Sequence, residues 1–151
     1  MLKVRVMPTL LFKNMGLVKG VQFDSWRRIG SVIQAVKVYN LREVDELVFV
    51  DISATLEKQG PDFDTVDEIA DECFMPLTVG GGVKTNADAR KLLKVGADKV
   101  AINTAAIQNP DLICSLATEF GSQCVVVSID VKRVPDGKNF MFTIRHSFHI
   151  N

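Results

Sequence analysis

Along the chain, short runs rich in Val, Ile and Leu alternate with longer stretches whose apolar residues recur at helical spacing, the pattern of successive βα units around a parallel sheet. Residues 4–8, 46–52, 75–79, 99–102 and 124–129 predict five strands, all short and nearly all apolar, as strands covered on both faces should be. Between them, residues 31–39 predict a helix with Val32, Ile33, Val36 and Val38 on its apolar side, and residues 64–73 predict a second. A third opens on Thr85-Asn86-Ala87-Asp88, which has capping-box spacing, carries Leu92 and Leu93 as core positions and ends at Gly96. A fourth is announced by Asn109-Pro110, a cap followed by proline at the first helical position, with Ile113, Leu116, Ala117 and Phe120 on one face before Gly121.

Two stretches break this rhythm. Residues 11–30 read as a functional loop with a small hairpin, because Leu17 to Phe23 alternates like a strand after a turn at Asn14 to Gly16. A second hairpin follows the fifth strand, turning at Pro135-Asp136-Gly137 into Phe140 to Ile144. Residues 4–13 overlay residues 125–134 in layout, placing Leu11-Phe12-Lys13 on Asp130-Val131-Lys132, so the fifth unit reads as the opening of a repeat. The expected fold is α/β: a single domain over residues 1–151, a TIM-type (β/α)8 barrel cut to about four βα units plus strand five. A closed barrel typically takes about 250 residues. Such a half-barrel has open edges to hide against another copy or another protein, and residues 145–151 read as a tail without the helical pattern due next.

Composition fits a globular chain: 47% hydrophobic, 24% charged, with 18 Lys and Arg against 18 Asp and Glu. That balance leaves no electrostatic footprint for nucleic acid, and no apolar run approaches the roughly 20 residues of a membrane span. With no secretory pattern at residues 1–5, a cytoplasmic home is expected. Cys73, Cys114 and Cys124 are odd in number and form no C-x-x-C, so they read as reduced core thiols. His146 and His149 lack a third ligand nearby; no metal and no cofactor is expected.

The sharpest local feature is Gly80-Gly81-Gly82, directly after a strand and before the capped third helix. Free backbone amides and a helix start would suit a phosphate; a tight turn needing glycine conformations is the equal alternative. Polar residues recur at strand ends, at Thr9, Asp51, Thr78, Asn103 with Thr104, and Asp130, and such ends converge on one mouth of a barrel. Together with the glycines they favour a phosphorylated small molecule. Lys19 in the first loop could fold over an anion or stand solvated, and Trp26-Arg27-Arg28 could bind phosphate or pack a loop. At the opposite strand ends lie Arg5, Glu46 and Lys99, either a salt-bridge cluster closing the core or a gate for a small neutral molecule.

The segments 45–52, 76–82, 96–106 and 120–123 together resemble the cyclase subunit of imidazole glycerol phosphate synthase, in register from about residue 1 to residue 142. That resemblance implies a (β/α)8 barrel that takes ammonia from a glutaminase subunit docked at its bottom. The ammonia joins a phosphorylated ribulosyl aminoimidazole carboxamide intermediate, giving imidazole glycerol phosphate and an aminoimidazole carboxamide ribotide. It implies phosphate contacts around Gly81, Gly82 and Thr104, substrate contacts at Lys19, Asp51, Thr78 and Asn103, and an ammonia gate including Arg5, Glu46 and Lys99. Asp98 would face the glutaminase, and Asp130 matches one of two catalytic aspartates. Leu11 stands where the family has the other, and a leucine cannot transfer a proton, a contribution typically of about 10²- to 10⁴-fold. Residues 7–13, 73–76 and 127–132 look more like a paralogous branch associated with amidation of surface-polysaccharide sugars, in which the barrel works beside a glutaminase and a separate amidotransferase.

Overall fold

The computed structural model describes residues 3–14, 16–21, 24–55, 57–133 and 140–143. One sheet carries β1 (Thr9–Lys13), β2 (Gly16–Val21), β3 (Asp24–Gly30), β4 (Leu47–Asp51), β5 (Leu77–Gly80), β6 (Lys99–Ile102) and β7 (Val125–Val127) in the order β3-β2-β1-β4-β5-β6-β7. From β1 through β4, β5 and β6 to β7 the pairing is parallel, and β2 and β3 add an antiparallel hairpin beside β1. Helices α1 (Val32–Leu41), α2 (Phe63–Glu72), α3 (Asn86–Lys94), α4 (Thr104–Gln108) and α5 (Asp111–Phe120) fill the connections. The sheet does not close: it is the first part of a (β/α)8 barrel. Separately, β8 (Asp130–Arg133) pairs with β9 (Phe140–Thr143), so both stretches of the overlay hold an antiparallel hairpin.

Successive strand residues point to opposite faces. Leu47 and Phe49 of β4, Leu77 and Val79 of β5, and Val100 and Ile102 of β6 are buried in the cluster that also holds Val36, Val66, Ile69, Leu92 and Leu116 of the helices. The alternate positions form two inner layers by register, Thr9–Val48–Thr78–Lys99 and Leu11–Val50–Gly80–Ala101. Helix starts follow their caps: Asp62 accepts from the Thr65 amide, and Thr85 and Asp88 complete a capping box. Gly96 takes φ +117° after α3, and a Cβ there would collide with Ala70.

Several elements differ from expectation. The first strand is residues 9–13, not 4–8. Val6 and Pro8 already accept bonds from Asp45 and Val48, but Pro8 has no N–H to continue the ladder, and Val4 and Met7 face solvent. The fifth strand stops at Val127, so Asp130 opens β8 rather than ending a sheet strand. The short α4 went unread because five residues carry no period. At α5 the cap position is Pro110 rather than Asn109, without a side-chain bond, and Leu112 and Leu116 are its buried residues. Val38 is half exposed, since it lies off the Val32–Val36 stripe of α1. The turn at 135–137, the tail from 145 and both histidines lie outside the described residues.

The capping box yields a stability prediction. Thr85→Ala should cost about 1 kcal/mol, read as a lower urea midpoint at unchanged slope.

Candidate functional site

Beyond the C-terminal ends of β4, β5 and β6 lies an open cavity of about 590 Å³, and its floor is apolar: Leu11, Val50 and Ala101 of the second inner layer line it. Asp51, Gly81, Gly82, Asn103, Thr104 and Asp130 stand around that floor. Six of the residues expected at the mouth are therefore brought together, and Thr9 joins them.

Local bonding and close packing fix several of them. Asp51 ends β4 and uses one oxygen, Oδ1, to accept from the Ser53 amide (2.8 Å), the Ser53 hydroxyl (2.7 Å) and the Ala54 amide (3.2 Å), which folds the next loop over the strand end. Gly81 (φ +106°) has no room for a side chain beside the Asp51 backbone. At Gly82 (φ +72°) a Cβ would sit 2.9 Å from Ala54 Cβ and from the Gly60 carbonyl carbon. Gly82 is a buried residue that lines the cavity, and its N–H has no acceptor among the described residues. Asn103 donates through Nδ2 to Asp130 Oδ2 at 3.0 Å, so the β6–α4 junction and the start of β8 share one polar contact.

At the start of α3 the Asp88 carboxylate accepts from the Lys84 (3.0 Å) and Thr85 (2.9 Å) amides, and the Thr85 hydroxyl accepts from the Asp88 amide, so the capping box holds these three amides. Lys19 lies exposed in β2 opposite Arg27 and does not line the cavity. Thr78 is also misplaced by the strand-end reading. It lies in the lower inner layer, 1% exposed, and donates to Glu46 Oε1 at 2.6 Å.

That carboxylate anchors the opposite end of the barrel. Glu46, 3% exposed, accepts at Oε2 from Arg5 and from Lys99, both at 2.7 Å. Burial raises its pKa, but Lys99, Thr78 and Arg5 outweigh that and hold it below the ordinary glutamate value. The three charged residues expected to meet at the N-terminal ends do meet, and Thr78, assigned to the mouth from sequence, is the fourth member. Thr78 shares the inner strand face with Lys99, its partner in register, while Leu77 before it points to the helices. Close by, exposed Asp98 accepts from the Leu77 amide at 2.7 Å and so holds the start of β5 on this same end. Among the described residues no group of His, Cys, Asp and Glu is suited to a metal ion, and no helix is long and apolar enough to cross a membrane.

The missed polar lining residues are Thr55, Lys58, Lys84, Gln108 and Ser128. A loop lysine carries no sequence signal until the loop's path is known.

The sequence profile described as "Histidine biosynthesis protein" matches residues 5–148. A Campylobacter jejuni protein named "Putative imidazole glycerol phosphate synthase subunit hisF2" is 49% identical over 137 residues, which cover 90% of this chain and 54% of that relative. The chain thus spans about half the length of the curated relative it matches.

Glu46 supplies a pH prediction. With its folded pKa below the unfolded one, its stabilisation is complete above the unfolded glutamate value of about 4.3 and fades as pH falls through the folded value. Glu46→Gln should cost about 1–3 kcal/mol at pH 7. In urea titrations the gap to wild type should narrow as pH falls below about 4.3; a constant gap would show that charge does not hold the cluster.

Proposed function

The chain belongs to the histidine biosynthesis protein family, and from that premise we propose that it is a cyclase-type subunit of the imidazole glycerol phosphate synthase kind, working with glutamine-derived ammonia. The mouth binds a phosphorylated ligand through the Gly81–Gly82 turn and Thr104, with Asp51 and Asn103 as further contacts. The Gly82 N–H supports that assignment: Gly82 lines the cavity, and among the described residues its amide has no acceptor, which leaves that donor for a ligand. Asp130, steadied by Asn103, is the acid–base group. A glutaminase docks at the opposite end, against the face that carries Asp98, and Arg5, Glu46, Lys99 and Thr78 gate the passage of ammonia. Lys19 reaches the ligand only if the β2–β3 hairpin folds over the mouth.

Leu11 decides between chemistries. It lines the cavity in the inner layer beside Val50, where it can pack against a ligand but cannot move a proton. General acid–base groups contribute about 10²- to 10⁴-fold, so a mouth with Asp130 alone is poor at closing an imidazole ring. This favours a paralogue that conducts ammonia for amidation of a surface-polysaccharide sugar by a separate amidotransferase. The histidine-pathway cyclase is the alternative.

Ammonium and the ribulosyl intermediate, given to the purified chain, should yield imidazole glycerol phosphate at a rate at least about 100-fold below that of a cyclase with both aspartates. Leu11→Asp should raise that rate. Brisk turnover by the wild type would establish the histidine-pathway reading instead. In the same assay Gly82→Ala should abolish retention of the phosphorylated intermediate on the protein, measured by ultrafiltration.

A further inference from the structure

The β4–α2 loop is built onto the glycine turn. Asp51 folds its first residues, Glu57 and Gln59 amides donate back to Ser53 and Ala54, and a Cβ at Gly82 would meet the Gln59 carbonyl oxygen at 3.1 Å. Lys58 sits inside this turn with φ +55°, a left-handed conformation that non-glycine residues adopt uncommonly. From the other side, Lys84 follows the glycines by two residues, and its amide is tied to Asp88 while its side chain is exposed. Both lysines line the same cavity as Gly81 and Gly82. Neither has a carboxylate within ion-pairing distance among the described residues. The two carboxylates of the mouth are engaged elsewhere, Asp51 with its own loop and Asp130 with Asn103.

We infer that Lys58 and Lys84 form a cationic clamp over the Gly81–Gly82 turn and set the specificity of the mouth for a phosphate group. The inference rests on reading the turn as a phosphate site and adds the charges that such a site otherwise lacks: the amides supply direction, and the two ammonium groups, reaching in from separate loops, supply attraction. Asp88 already takes the Lys84 and Thr85 amides, so attraction at this end of the turn comes from side chains. A ligand bearing a neutral hydroxymethyl in place of phosphate would leave both lysines unanswered, and the mouth should reject it.

Calorimetric titration with inorganic phosphate at low ionic strength tests the clamp. Lys58→Asn, chosen because asparagine tolerates φ +55°, and Lys84→Gln should each weaken binding threefold or more. The double variant should weaken it at least tenfold and flatten the salt dependence, while circular dichroism stays that of the wild type. If the wild type binds phosphate, Gly82→Ala does not, and both lysine variants bind as the wild type does, the clamp is wrong and the turn alone is the site. If the wild type itself binds no phosphate, the reading of the turn falls and the clamp with it.

Discussion

A carboxylate withdrawn from water at the start of β4 must find positive charge and hydrogen-bond donors where it stands. Glu46 finds them in Arg5, Lys99 and Thr78, which come from the N-terminal segment, β6 and β5. One side chain therefore ties together the segment before β1 and three parallel strands, and it does so at the end opposite the cavity. Around that polar layer the sheet keeps its alternation, large apolar residues toward the helices and a mixed inner face. Removing Lys99 or Arg5 leaves Glu46 with a single cation; removing Glu46 leaves two cations facing one another.

Above the polar layer the inner face turns apolar and small. Leu11, Val50, Gly80 and Ala101 lie side by side by register, and the two small residues open the space that the cavity occupies. Glycine at 81 and 82 lets the chain turn against Asp51 and Ala54 without a side chain between. The resulting mouth is a hydrophobic floor with polar amides, two ordered carboxylates and two lysines at its rim, suited to holding an anion over an apolar body. In the proposed function Asp130, held by Asn103, is the mouth's acid–base carboxylate, and Leu11 on the floor is what would separate binding from ring closure.

Much of this was legible in the sequence because the governing signals are local. The parallel strands at β4, β5 and β6, the capping box at Thr85 and Asp88 and the left-handed stop at Gly96 follow from run length, spacing and residue type. The family's register likewise brought Arg5, Glu46 and Lys99 together, and Asp51, Gly82, Asn103, Thr104 and Asp130 apart from them. What failed depends on geometry that spacing does not carry. Thr78 was placed at the mouth because strand 75–79 was set two residues early at its start and one short at its end; the true limits put it one layer lower. Pro8 delayed β1, five residues were too few for α4 to show a period, and Lys58 and Lys84 reach the cavity only through the path of their loops.

In the proposed function the two ends of this sheet differ in kind, a ligand-binding mouth at Gly81–Gly82 and a closed polar layer at Glu46. Amide chemical shifts of the isotopically labelled chain, followed while ribose 5-phosphate is added, test that difference. Shifts are expected at Gly81, Gly82, Val83, Thr104 and Ala105, with the amides of Glu46, Thr78 and Lys99 unmoved. Shifts centred on Glu46 and its partners, or none at the glycine turn at saturating sugar phosphate, would contradict it.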